Sequence, residues 1–163
     1  MKLIDRTIKK EIKHLERTNS SFPRRYEYLR LDKNERLLPI KQKDLKAFKL
    51  SLSDDDITGY GELYTIYKKL AKFLKVSVNQ LLIAAGSDLA IKSVFETFVS
   101  AGNSIIVQSP SYAMTQVYAK MFGAKVKYFK VNSDLNAKLG EAYDLIDNKT
   151  KLIVIENPNG FVR

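Results

Sequence analysis

The spacing of apolar residues changes repeatedly along this chain, and each change of period marks an element. Near the start, Ile4, Ile8, Ile12 and Leu15 fall on one stripe of a helix over residues 1–18, with charge on its other sides. Such an arm needs a surface to dock on, and Asp5, Glu11 and Glu16 argue against a lipid one. Residues 19–40 lose all periodicity and include Pro23 and Pro39, as expected of an extended segment lying over a surface. Residues 41–50 fit a short helix, and Ser53-Asp54-Asp55-Asp56 an acidic turn. A stronger helix covers 61–75, with Leu63, Ile66, Tyr67, Leu70 and Leu74 on one face.

Beyond residue 80 the period alternates. Leu81-Leu82-Ile83-Ala84-Ala85 is too short a run for a helix and reads as a buried strand. Ser87 then caps a helix over 88–99 that turns Ile91, Val94, Phe95 and Phe98 inward. Strands at 104–107, 125–129 and 152–155 alternate with helices over 112–122 and 137–147. Short apolar strands separated by amphipathic helices predict an α/β protein: three layers, α/β/α, around a mainly parallel sheet. The organisation expected is an N-terminal helix and extended segment over 1–40, then an α/β domain over 41–163.

Composition narrows the chemistry. The chain has 163 residues, 45% of them hydrophobic, with nine tyrosines and eight phenylalanines, so a core forms and wholesale disorder is excluded. It has no cysteine, which removes disulfides, thiolate zinc sites and a cysteine nucleophile together. The one histidine, His14, leaves little for a histidine metal cluster or a Ser-His-Asp triad, so no metal is expected. No apolar run approaches the roughly 18 residues of a membrane span, and the mixed charges of the first residues do not resemble a signal peptide. The cytoplasm is the compartment this predicts, with no membrane partner. A formal charge of +10 favours anionic partners. The basic residues are scattered, though, and form no stripe with interleaved aromatics, so no specific nucleic-acid binding is expected.

Parallel sheets bind ligands beyond the carboxyl ends of their strands, so the residues there carry the functional information. After the first apolar run comes Gly86-Ser87-Asp88, which can aim helix N–H groups at an anion; an ordinary capped helix accounts for it equally. After the next strand, Ser109-Pro110-Ser111-Tyr112 presents an aromatic ring that can stack on a planar ligand or simply pack at a helix start. The last strand runs into Glu156-Asn157-Pro158-Asn159-Gly160, two amides that can face a ligand oxygen or form a plain Asn-Gly turn.

The order of these motifs, together with Leu31-Asp32-Lys33-Asn34-Glu35 and Gly59-Tyr60-Gly61, resembles the fold-type I aminotransferases dependent on pyridoxal 5′-phosphate (PLP), classes I and II. It is most similar to the histidinol-phosphate aminotransferases, and the likeness runs from about residue 30 to the end. The resemblance implies PLP as cofactor and transfer of an amino group from an amino acid, such as histidinol phosphate, to a 2-oxo acid in amino-acid biosynthesis. It implies that Gly86, Ser87 and Asp88 begin the phosphate cradle and that Tyr112 stacks on the pyridine ring. Asn159, with Asn157 as the alternate, matches the asparagine donating to the ring 3-oxygen. Tyr60 matches a tyrosine that reaches the partner's cofactor phosphate across a homodimer, and Asn34 sits in the loop closing over substrate. Residues 41–163 would be part of a large PLP-binding domain.

The sequence also departs from the family. The usual Asn-Pro-Asn-x-Pro-Thr-Gly becomes Asn157-Pro158-Asn159-Gly160-Phe161-Val162-Arg163. No residue matches the Schiff-base lysine, the aspartate on the pyridinium nitrogen or the arginine on the substrate carboxylate, and a small C-terminal domain is missing. The lysine is the nucleophile in such enzymes, so no catalytic residue is assigned and the chain alone is expected not to transaminate. It looks like the N-terminal portion of an aminotransferase, with exposed sheet edges and apolar helix faces that favour self-association. A non-catalytic phosphate- or PLP-binding or assembly fragment is the alternative. An unrelated basic nucleotide- or nucleic-acid-binding α/β domain is a second, although neither G-x-G-x-x-G nor a P-loop motif occurs.

Overall fold

The computed structural model describes residues 8–13, 15, 24–31, 35–131 and 139–160. These divide between two compact units, residues 19–81 and residues 1–18 with 82–163.

In the unit of residues 19–81, a 3-10 turn lies at Arg25–Glu27, and the carboxylate of Glu35 pairs with Arg25 at 2.9 Å and Arg30 at 3.2 Å. Helix α1 spans Gln42–Ser51. The acidic Ser53–Asp56 segment, expected as a turn, instead opens a short helix α2, Asp54–Thr58. Ser53 makes the difference: its hydroxyl accepts from the Asp56 N–H while the Asp56 side chain accepts from the Ser53 N–H, a reciprocal cap that satisfies two helix-end donors. The serine bonds hold the Asp56 carboxyl below its ordinary pKa, the side-chain bond contributing most. Helix α3, Leu63–Leu74, keeps its expected place, but only Ala71 is buried and Tyr67 and Leu70 half-buried; Leu63, Ile66 and Leu74 of the expected inward face are exposed.

In the other unit, the described part of the expected 1–18 helix is a set of turns, with Ile12 and Lys13 N–H groups on the Lys9 carbonyl; Ile4 and His14 lie outside the described residues. Helix α4, Gly86–Phe98, leads into strand β1, Ser104–Ser109. Helix α5, Ala113–Met121, strand β2, Lys125–Lys130, helix α6, Leu139–Asp144, and strand β3, Thr150–Val154, follow. The strands form one parallel sheet in the order β2-β1-β3, with Ile106 of β1 opposite Lys127 of β2 and Ile153 of β3. The three-layer α/β expectation therefore holds.

β1 lies in the middle and reads as an unbroken apolar run because both its faces are covered. Ile105 and Val107 pack with Phe95 and Val99 at the end of α4 and with Tyr118 and Ala119 of α5. Ile106, on the opposite face, packs with Phe129 of β2 and Ala142 of α6. Two inward residues expected on α4 face out instead: Val94 and Phe98 are exposed while Ile91 is partly buried and Phe95 fully so. The helix needs only a narrow stripe to cover this three-stranded sheet.

Leu81–Ala85 does not form the expected strand. A strand exists only through hydrogen bonds to a neighbour, and this run pairs with none of β1, β2 and β3. Leu82 is accordingly exposed.

A polar cluster ties the amino ends of the strands together. Lys127 Nζ lies 2.8 Å from Asp147 Oδ2 and donates to the Leu145 carbonyl, while Ser104 and Thr150 hydroxyls donate to Asp147 Oδ1. Lys127 first, then Thr150, holds the Asp147 carboxyl well below its ordinary value of 3.8. A depressed folded-state pKa stabilises the fold above the unfolded value and ceases to do so as pH falls through the folded one. The difference in thermal midpoint between the chain and Asp147→Asn is therefore expected to be constant at neutral pH and to shrink below about pH 4. A pH-independent difference would show that the ionised carboxylate contributes nothing.

Candidate functional site

At the carboxyl ends of β1 and β3, three loops meet. The chain enters α4 through Gly86, whose φ of +80° lies in the left-handed region, where a Cβ would add strain. Gly86 and Ser87 therefore lie in the helix's first turn rather than ahead of it. Ser87 is not the cap expected from sequence, and the N-cap position is Ala85, which offers no side-chain bond to the first-turn N–H groups. The helix thus starts two residues earlier than expected; the Gly86 N–H donates to the Ala84 carbonyl at 2.8 Å, and no side chain caps the first turn.

β1 ends at Ser109, and a Ser109–Pro110 peptide in the cis form leads to Tyr112 at the head of α5. The ring of Tyr112 is 42% exposed, available to stack. Its hydroxyl donates to Asp88 Oδ1 at 2.7 Å, which joins the start of α4 to the loop after β1. From the segment after β3, Asn159 Nδ2 donates to the Pro110 carbonyl at 3.1 Å. Glu156 accepts from both the Ser111 hydroxyl and the Tyr112 main-chain N–H.

Asp88, Tyr112 and Asn159 are thus brought to one place through this network, with Gly86 and Ser87 adjoining Asp88 in the first turn of α4, and Asn157 belongs to the segment of Asn159, preceding a second cis proline, Pro158. Tyr60 belongs to the unit of residues 19–81, where its side chain is fully exposed just after α2. Asn34 lies outside the described residues. Sequence reasoning passed over Glu156 as part of a strand end. Its signal was an acidic residue at the end of an otherwise apolar strand, where a carboxylate needs partners.

The site tests well for a planar phosphorylated group. Uncapped first-turn N–H groups suit a phosphate, an anchored but exposed ring suits an aromatic face, and the amides of Asn157 and Asn159 suit a ring oxygen. No group of three or more His, Cys, Asp or Glu that could hold a metal occurs among the described residues, and none of their helices is long and apolar enough to cross a membrane.

Fold and site together define a parallel α/β protein with a candidate ligand site at the carboxyl ends of its strands. Residues 26–160 match the model of the family described as aminotransferase class I and II, and the chain belongs to that family, whose members generally depend on PLP. It is 28% identical over 131 residues to a histidinol-phosphate aminotransferase of Desulfotalea psychrophila, covering 80% of this chain and 34% of that protein. It is 33% identical over 97 residues to one of Methanocaldococcus jannaschii, covering 58% and 26%. The fold matches an alanine aminotransferase from Pyrococcus furiosus with a TM-score of 0.60 at 22% identity, over 72% of this chain and 32% of that one. The chain spans about a third or less of the length of these relatives. Membership decides against an unrelated nucleotide- or nucleic-acid-binding domain.

Proposed function

We propose that this chain binds pyridoxal 5′-phosphate as part of an enzyme that moves an amino group from an amino acid to a 2-oxo acid, with histidinol phosphate as the donor its curated relatives suggest. The observation that carries this reading is the 2.7 Å bond from the Tyr112 hydroxyl to Asp88, which unites a candidate ring platform with a candidate phosphate cradle. PLP supplies the electron sink for bond cleavage at the amino-acid α-carbon. The chain's own residues hold and orient it. The start of α4, Gly86, Ser87 and Asp88, receives the phosphate, Tyr112 covers one ring face, and Asn159, with Asn157 as the alternate, donates to the ring oxygen. In a cytoplasmic homodimer, Tyr60 reaches the partner's cofactor phosphate and Asn34 closes over substrate. No residue of the 163 matches the lysine that bonds the cofactor, so these residues by themselves bind without transaminating.

The test uses pyridoxine 5′-phosphate, which has the ring and phosphate but no aldehyde to react with surface lysines. Equilibrium dialysis is expected to give saturable binding, competed by inorganic phosphate. Tyr112→Ala is expected to weaken it by about 2–12-fold, the equivalent of about 0.5–1.5 kcal/mol for one aromatic pair. Non-saturable binding, or binding indifferent to Tyr112, would sink the reading. In parallel, the chain incubated with histidinol phosphate and a 2-oxo acid in the presence of PLP is expected to form no new amino acid.

A further inference from the structure

We infer that Glu156 is the positioning residue of the site: its carboxylate, by accepting from the Ser111 hydroxyl and the Tyr112 main-chain N–H, sets the angle at which the Tyr112 ring meets a planar ligand. The part of this inference that concerns the ligand rests on the reading of Tyr112 as a ring platform.

The geometry makes the point in two halves. A tyrosine ring has two side-chain torsions, so its plane is set by where its main chain and its hydroxyl are held. At the far end, the hydroxyl is fixed on Asp88 at 2.7 Å. At the near end, Tyr112 stands at the N-cap position of α5, where its carbonyl accepts from the Thr115 N–H at 3.1 Å but its own N–H needs an acceptor outside the helix. Glu156 supplies that bond, and it holds the adjacent Ser111 with the same oxygen. Asn159 adds a third tie to the same loop through the Pro110 carbonyl. All three ties come from the segment after β3, so the loop after β1 is registered against that segment as well as against its own helix. An ionised acceptor makes shorter and roughly twice as strong bonds as a neutral one, which suits a half-buried clamp on an otherwise exposed loop.

Removal of Glu156 is expected to leave the phosphate cradle in place, because Glu156 bonds to Ser111 and Tyr112 rather than to Gly86, Ser87 or Asp88. Two measurements test this. The first needs no ligand: amide hydrogen exchange at Tyr112 is expected to speed up about tenfold or more in Glu156→Ala and to stay near the parent rate in Glu156→Gln, whose amide oxygen still accepts. Unchanged exchange in Glu156→Ala, with the urea midpoint showing a folded chain, overturns the inference.

The second measures pyridoxine 5′-phosphate and inorganic phosphate separately. Glu156→Ala is expected to weaken the first about as much as Tyr112→Ala does and to leave the second unchanged. Added to Tyr112→Ala, it is expected to weaken binding no further, since there is no ring left to position. Equal loss for both probes would mean general damage to the site. Tighter binding of both by Glu156→Ala and Glu156→Gln alike would mean that the residue acts only as a repelling charge. Either outcome overturns the positioning role. Failure of the parent chain to bind pyridoxine 5′-phosphate would remove the cofactor reading, while the exchange measurement would still decide whether Glu156 holds Tyr112.

Discussion

Phe95→Ala is expected to lower the stability of the chain by about 3–5 kcal/mol, the range for removing a large aromatic from a packed core. Phe95 is 1% exposed and lies with its ring centroid 6.0 Å from Tyr118 and 6.2 Å from Phe122. It belongs to the cluster with Val99, Ile105, Val107 and Ala119, where β1 meets α4 and α5. Its loss removes the contacts of one ring and leaves a void between two helices that cannot close without moving off the sheet. Urea unfolding followed by far-ultraviolet circular dichroism should show the midpoint falling with the slope unchanged. The effect reaches the site, because α4 carries Gly86, Ser87 and Asp88 at its other end. Phe95→Leu, which keeps most of the volume, is expected to lose much less. An alanine variant within about 1 kcal/mol of the parent would mean that the buried ring is not where the stability of this unit resides.

Gly123→Ala is the next largest expected loss, about 2 kcal/mol. Gly123 has a φ of +68°, and a Cβ there would come 3.1 Å from Ala101 Cβ and 3.2 Å from Ala101 Cα. Its N–H donates to the Lys120 carbonyl at the end of α5, and its own carbonyl accepts from Gly102. The residue therefore turns the chain out of α5 toward β2 while lying against the loop that enters β1. Backbone strain and steric contact both oppose a side chain, and they separate experimentally. Gly123→Asn keeps the Cβ but tolerates the left-handed region better, so it should lose less than alanine by roughly the strain alone. Equal stability of the parent and Gly123→Ala would contradict both arguments.

The elements that were legible in the sequence are those whose burial leaves a periodic trace. β1 is one, because a central strand covered on both faces must be apolar at nearly every position, from Ile105 to Val107. Helices α3 and α5 were located within about two residues, since their apolar spacing is local. Which of those residues are buried was less legible. Phe98 and Phe95 lie three apart on one helix, yet Phe98 is exposed and Phe95 is not, because only the sheet decides which part of the stripe is covered. The Leu81–Ala85 run shows the same limit more sharply. Its composition satisfies a strand, but strand formation is a property of a pair, and this run pairs with none of the described strands.

The site divides along the same line. Sequence by itself determined the chemical types and their order: a glycine-led helix start, an aromatic after a proline, and amides after the last strand. It also carried the resemblance to the family, through five motifs in a set succession. Only the tertiary structure decided that Tyr112 reaches Asp88, 24 positions away, and that Glu156 holds the Tyr112 backbone across 44. Neither contact leaves a periodic signal, because residues that far apart meet only once the parallel strands between them have paired. Pairing in the order β2-β1-β3 brings the ends of β1 and β3 side by side, and that adjacency makes a clamp out of an otherwise unremarked glutamate.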